Sequence, residues 1–378
     1  MIRLKFFERF SSNTCAGSGN QFVFYDTENT VKTGRIFYRI FCEGEYNYSL
    51  LFSNITDSTF ADGSESHKNL VCDEWTILSA KIGKADKNYF GTTADVRELE
   101  GFANEKSVEL IPITFNGSTS KNVAPGEFFS TDPVKMYFDR GDYLCLEITF
   151  CGRMIPYHEE SLLPVFEKTE NGFVYSKKMP FASMIGCDRK VKSKIAFLGD
   201  SITQGIGTAL NSYAHWNALL SDKIGSDYAF WNLGLGFARA SDMASDGAWA
   251  FKAKQNDTVI VCYGVNDILR GANENQVIRD IEKIVDNMKN NGKKIVLQTV
   301  PPFNYTEEKI AVWENVNKYI NDVLSDKADL VFDTVSVLSE STKEPHKAKY
   351  GGHPDETGCA VWADALYTAI CNAGLIGK

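Results

Sequence analysis

The sequence predicts two architectures in succession, an all-β sandwich over residues 1–185 and an α/β domain with a parallel sheet over residues 190–378. Three observations carry this expectation. At 378 residues the chain is longer than a single core usually grows, which favours two domains over one. Up to residue 185, short apolar runs are broken every ten or so residues by Gly, Asn, Asp or Pro without a sustained helical period, the rhythm of a sandwich. After the short, polar and charged stretch Gly186–Ser193 the pattern changes, and strand-like runs IAFLG, AFWNLG, TVIVCYG and KIVLQTV alternate with helical stretches, as in a parallel sheet with crossovers.

Within the first part, the clearest strands are Val134, Met136 and Phe138, alternating with Lys135, Tyr137 and Asp139, and then Leu144, Leu146, Ile148 and Phe150 after the turn Arg140-Gly141-Asp142. This period of two predicts a hairpin with one buried face. Within the second part, Ile278, Ile281, Ile284, Val285 and Met288 fall at three- and four-residue spacing, and Gly292 stands where a helix C-terminal glycine belongs. That spacing predicts an amphipathic helix.

Composition excludes several function classes. A formal charge of -9 leaves no basic field for a phosphate backbone, and no Lys/Arg-rich tract or aromatic-basic motif appears, so nucleic acid is not expected as a partner. No stretch reaches membrane-spanning length, and the opening MIRLKFFERF lacks the apolar core and cleavage site of a signal peptide. Nine widely spaced cysteines without a CxxC pair read as mostly reduced, and with them the protein as cytoplasmic. The five histidines, His67, His158, His215, His346 and His353, show no metal-ligand spacing, and there is no phosphate-binding glycine loop. No metal or cofactor is expected.

The chemistry-bearing residues lie in the second part. The strand Ile195–Leu198 runs into Gly199-Asp200-Ser201-Ile202-Thr203, which places Ser201 in a strand-to-helix turn with its N–H at a helix start. A serine there is also a common helix cap, and Asn266 and His353 each have ordinary structural readings as a cap and a loop residue. Their arrangement is more telling than any one of them. The next strands end in Asn232-Leu233-Gly234-Leu235-Gly236 and in Tyr263-Gly264-Val265-Asn266-Asp267, and Gly352-His353-Pro354 precedes the last helix. In an open parallel sheet all of these fall at the carboxyl ends of strands, where ligands bind. Asp200 and Asp267 read as turn-holding carboxylates.

GDSIT, the glycine-containing turn after the second strand, GVND, and HP before a C-terminal helix resemble, in order, the sequence blocks of SGNH (GDSL) hydrolases, over residues 193–378. The resemblance implies a three-layer α/β fold and a serine esterase in which Ser201 is the nucleophile and His353 the base. It implies an oxyanion hole made by the Ser201 N–H, a backbone N–H of the second block and the Asn266 side chain. Gly236 is the expected second-block donor, although the family glycine commonly falls five residues after the asparagine, at Phe237 here. A hydroxyl needs a neighbouring imidazole to take its proton, and fixed donors must receive the negative charge of the tetrahedral intermediate, so the chemistry demands these residue types. GxSxG is absent at Ser201, which argues against an α/β-hydrolase elbow.

The stretch from Phe115 to Phe150 is similar to the jelly-roll-like β-sandwich that precedes the catalytic domain in some carbohydrate esterases of this group. That implies removal of acetyl or other short acyl groups from an acetylated oligosaccharide or another small ester. A lysophospholipase or thioesterase, and an inactive sugar-binding protein, remain as alternatives, and the oligomeric state is open. Trp75, Tyr89, Phe90 and Tyr157 could stack on a sugar or belong to the core. The chain departs from the family at Tyr350, where most members place the aspartate that orients the histidine. Three accounts follow: a Ser-His dyad with the imidazole held by a backbone carbonyl, a carboxylate supplied from elsewhere such as Asp355 or Glu344, or an inactive enzyme.

Overall fold

The computed structural model describes residues 5–58, 68–181 and 184–377. His67 and the first four residues lie outside them. From Ser193 onward a five-stranded, all-parallel sheet is formed by β1 (Ser193–Gly199), β2 (Tyr228–Asn232), β3 (Thr258–Cys262), β4 (Lys294–Gln298) and β5 (Leu330–Phe332), in the spatial order β2-β1-β3-β4-β5. The strands β2 and β3 are buried along their whole length, as apolar runs covered on both faces must be. The order reverses beside β1, so right-handed crossovers send the helices before and after that point to opposite faces. Helices Trp216–Ile224 and Glu356–Asn372 pack together, with Trp216 stacked on Trp362 at 4.7 Å, while Glu274–Asn290 packs with Glu307–Asp322. This is the three-layer SGNH arrangement.

The expected helix over Ile278–Met288 runs from Glu274 to Asn290. Asn273 and Gln276 close a reciprocal capping box at its start, and Gly292, at φ +71°, ends it with the paired bonds Gly292 N–H to Lys289 O and Lys293 N–H to Met288 O.

Up to Cys187 the described residues form three antiparallel sheets. The larger two meet across a shared apolar layer, in which Trp75 touches both Phe129 of one sheet and Phe150 of the other. The expected hairpin is corrected here. Val134–Phe138 and Tyr143–Gly152 are strands, but they pair with different partners, the first with Gly44–Ser53 and the second with Lys32–Arg39 and Trp75–Ala85. The turn between them therefore steps from one sheet to the other. Asp142 holds that step, accepting from the Asp139 and Lys87 N–H groups and pairing with Lys84 at 2.6 Å. The alternation of Leu144, Leu146, Ile148 and Phe150 is real, but the opposite face is buried as well, where Tyr143 and Cys145 join a second apolar cluster under the helix Val96–Glu105.

The two regions share one continuous core. Phe41 packs on Phe230 at 5.3 Å, Phe128 on Phe251 at 5.2 Å, and the buried Lys252 and Asp57 pair at 2.5 Å. The N-terminal segment runs beside the end of β2: Gly17 bridges Asn232 in parallel, the Ser18 N–H donates to Asn232 O, and Trp231 Nε1 donates to Ser18 Oγ.

Candidate active site

Ser201 opens the four-residue helix Ser201–Gln204 directly after β1, and Asp200 caps that helix by accepting from the Ile202 N–H at 3.0 Å. Because it follows the strand beside the reversal of strand order, Ser201 stands at the crevice where such sheets bind ligands. The close fit around it depends on missing side chains. A Cβ at Gly234 would lie 2.3 Å from Gln204 N, so the turn after β2 can lie directly on the serine helix, and a Cβ at Gly207 would lie 2.8 Å from His353 O, so the chain after that helix can pass the histidine loop.

His353 reaches the serine from the loop before the last helix, its Nε2 lying 2.8 Å from Ser201 Oγ. The ring rests edge-on against Phe303, with centroids 5.4 Å apart. Burial lowers the His353 pKa from the usual 6.5, because the charged ring is poorly solvated there. A neutral imidazole with a free electron pair on Nε2 is the form that can accept the Ser201 proton. Asn266 lies on the short helix Val265–Leu269 after β3, where its Nδ2 donates to Ala238 O at 3.0 Å. An amide nitrogen carries two hydrogens, so this bond fixes the side chain and leaves one donor over. The residue does not cap its own helix. Ser201, His353 and Asn266 share one open cavity of about 420 Å³, with Glu160, Ile206, Phe237, Val265, Leu269, Arg270 and Phe303.

Residues 197–361 match the model of the GDSL-like lipase/acylhydrolase family. This stretch is a GDSL-like hydrolase domain. Among solved structures, the chain is similar to a putative lipolytic protein of the G-D-S-L family from Desulfitobacterium hafniense DCB-2, at 19% identity and a TM-score of 0.41, over 47% of this chain and 98% of that one. It is similar also to an acetyl-xylooligosaccharide esterase from Geobacillus Stearmophilus, at 21% identity and a TM-score of 0.39, over 48% of this chain and 95% of that one. An acetyl xylan esterase, AlAXEase, aligns at 18% identity and a TM-score of 0.38, over 47% of this chain and 99% of that one. No curated protein matches.

The GDSL-like domain departs from expectation at Gly236. Its N–H is occupied, donating to Gln204 Oε1 at 2.6 Å, and its carbonyl accepts from Gln21 Nε2 at 2.7 Å. Both polar groups of that residue are thus committed to glutamine side chains, and the next residue faces the cavity instead. Phe237 holds φ +60°, a left-handed backbone in which glycine would be at ease, and it stands five residues after Asn232. A glycine-like conformation at a phenylalanine agrees with the spacing that puts the family glycine at this position.

Neither expected carboxylate is aimed at the imidazole. Asp355 caps the last helix, accepting from the Gly358 N–H at 2.8 Å. Glu344 is exposed and pairs with Lys347 at 2.6 Å. Among the described residues no carboxylate hydrogen-bonds to His353, and burial is the cause of its shift. Tyr350 packs against Gly358, where a Cβ would lie 2.5 Å from it. The four aromatic candidates for sugar stacking are all buried, Trp75 and Tyr157 in the shared core and Tyr89 and Phe90 in the second cluster, and none lines the cavity. The aromatics that do are Phe237 and Phe303.

Two further carboxylates lie close by in the interior of the GDSL-like domain. Burial raises the pKa of Asp200 to about 7, and that of Asp267 to about 6, and each carboxyl accepts a backbone N–H, from Ile202 and Ala240 respectively. His215, buried, caps the helix Trp216–Ile224 through its Nδ1, which accepts from the Ala218 N–H at 3.3 Å. Among the described residues no helix is long and apolar enough to cross a membrane.

Proposed function

We propose that this protein is a serine esterase that removes acetyl or similarly short acyl groups from carbohydrate esters through an acyl-enzyme. The observation that carries the reading is the 2.8 Å contact between Ser201 Oγ and His353 Nε2 in a cavity that Asn266 also lines. Ser201 Oγ attacks the ester carbonyl carbon while His353 Nε2 takes the hydroxyl proton. The charge on the former carbonyl oxygen is met by the Ser201 N–H, the second Asn266 amide hydrogen and the Phe237 N–H, which replaces Gly236 in this role. The bond to the sugar oxygen then breaks and His353 returns the proton to it. Water repeats the sequence at the acyl carbon.

No carboxylate is assigned to the imidazole, so the catalytic unit in this reading is a dyad. Short acyl groups and a polar alcohol suit the cavity because Glu160 and Arg270 stand in its wall beside Ile206, Val265 and Leu269. A long alkyl chain laid there would strip water from charged groups without replacing their hydrogen bonds, whereas sugar hydroxyls can make such bonds. The division into a sandwich, 1–185, and a catalytic domain, 190–378, belongs to the same proposal, with a core common to both.

The test is hydrolysis of p-nitrophenyl esters of increasing chain length, followed by mass spectrometry of acetylated oligosaccharides. Ser201→Ala is expected to abolish turnover with the fold intact, and the wild type to prefer acetate. Residual activity above a few per cent in the variant would remove Ser201 as nucleophile, and a preference for long chains would remove the carbohydrate substrate.

A further inference from the structure

The Gly236 peptide groups sit at the end of a hydrogen-bond chain that runs in one direction through the N-terminal β region. His158, on the strand Met154–His158, places Nδ1 2.8 Å from Gly19 O. A carbonyl only accepts, so Nδ1 carries the proton and Nε2 is left as an acceptor. That acceptor faces Gln204 Nε2 at 3.1 Å, and the same amide nitrogen donates to Glu159 O and Glu160 O. With its nitrogen surrounded by acceptors, Gln204 turns its oxygen to the Gly236 N–H. On the other side of Gly236, the fully buried Gln21 gives its Nε2 to the Gly236 carbonyl at 2.7 Å. The opposite amide orientation would set two acceptors face to face. Gln21 keeps the productive one although its Oε1, buried, has no hydrogen-bond partner among the described residues. A buried amide left half satisfied calls for an explanation.

The peptide plane supplies it. The Gly236 carbonyl and the Phe237 N–H belong to one planar trans peptide, so they point in opposite directions. A donor that grips the carbonyl from within the β region directs the N–H away from that region, on the side where Phe237 lines the cavity with Ser201 and Asn266. We propose that Gln21 is a positioning residue for the esterase site: by holding the Gly236 carbonyl it aims the Phe237 N–H at the oxyanion. Gln21 then contributes to transition-state stabilisation from the N-terminal region without itself touching substrate. This rests on the reading of Ser201 as nucleophile.

The experiment compares the wild type with Gln21→Met, which keeps length but removes the donor, and with Gln21→Glu, which keeps shape and can donate to the carbonyl only while its buried carboxyl is protonated. Each is assayed for kcat and KM on p-nitrophenyl acetate, for binding of a boronic acid that adds to Ser201 Oγ as an anionic tetrahedral mimic, and for Tm. A misaimed oxyanion donor predicts a kcat lower by about ten- to a hundredfold, KM changed less than about twofold, and boronate affinity reduced by the same factor as kcat. For Gln21→Glu the loss relative to the wild type grows as pH rises and the carboxyl gives up the proton that it donates. A merely structural role would lower Tm and leave kcat and boronate affinity of the folded fraction as in the wild type, and that result overturns the inference, as does a pure KM effect. Should Gln21→Met not fold, the closer isostere Gln21→Glu, compared with the wild type at about pH 6 and pH 9, decides by the same criteria. Ser201→Ala runs alongside: if it is inactive while a folded Gln21 variant retains wild-type kcat, only this inference fails, whereas an active Ser201→Ala overturns both.

Discussion

Replacing Asp355 separates a dyad from a relocated triad, because its carboxylate has one visible task and that task can be preserved. Asp355 Oδ1 accepts from the Gly358 N–H at 2.8 Å and thereby caps the 17-residue helix Glu356–Asn372. Asparagine accepts the same bond, so Asp355→Asn removes the charge and keeps the cap, whereas Asp355→Ala removes both. Loss of such a cap costs about 1 kcal/mol, which lowers Tm by roughly 2 °C in a domain of this size. Loss of an acid that orients a catalytic histidine costs roughly ten-thousandfold in kcat, or about 5.5 kcal/mol. The two effects differ enough to be told apart in one set of assays. With His353 free of any carboxylate bond, Asp355→Asn should keep kcat within about threefold of wild type, and Asp355→Ala should show a lower Tm with a similarly small change in kcat. Glu344→Ala, at an exposed ion pair with Lys347, should change neither. His353→Ala sets the scale for complete loss. If either Asp355→Asn or Glu344→Ala approaches that scale, a carboxylate serves the imidazole after all and the dyad is refuted.

Asn266→Ala should lower kcat about a hundredfold, near 3 kcal/mol, with KM little changed, since the spare amide hydrogen is used only when charge develops; a pure KM effect in steady-state kinetics would place Asn266 in substrate binding. The acid limb of kcat/KM should have its midpoint below 6.5, because burial depresses the His353 pKa and the neutral ring therefore persists to lower pH; a midpoint above 6.5 would mean that a negative partner holds the proton on. Asp200→Asn should be stabilising above neutral pH, since asparagine can keep the cap on Ile202. The folded Asp200 keeps its proton up to about pH 7 while the unfolded side chain loses it near 3.8, so stability falls as pH rises through this window, by an amount on the order of a few kcal/mol. Denaturant midpoints of both proteins at about pH 5 and pH 8 check this, and a gap that does not widen with pH would show that Asp200 is ionised in the folded state.

The α/β half was legible because its signals are local. A buried parallel strand announces itself as an apolar run, a helix by its three-four spacing, and the carboxyl ends of three successive strands necessarily share one edge of the sheet. Ser201, Asn266 and His353 could therefore be placed together before any distance was known. The β half was legible as a rhythm but not as a pairing. Val134–Phe138 and Tyr143–Gly152 are adjacent in sequence and look like a hairpin, yet each finds its partners elsewhere, because alternation records which side chains are buried and carries no record of the strand alongside. The helix Val96–Glu105 was missed for a related reason: among its ten residues only Leu99 and Ala103 are buried, too few to impose a period on the surrounding strand-like text.

What sequence reasoning could not reach in the site is the part contributed from a distance. Gln21, His158 and Glu160 precede Ser201 by more than forty residues and belong to no motif, and a glutamine in a β region gives no reason to expect burial. Their significance appears only when the segment beside Asn232 brings Gln21 against Gly236 and the strand ending at His158 reaches Gln204. The same contacts explain why Gly236 was chosen over Phe237. In sequence, glycine is the residue that most easily brings a backbone N–H to a ligand, so it outranks phenylalanine; in the fold, two buried amides have already claimed that glycine, and the next residue, Phe237, holds a left-handed backbone in the cavity wall. In the proposed reading the oxyanion donor is a backbone group that the interior leaves unclaimed, and in this chain a large part of that interior comes from the β region.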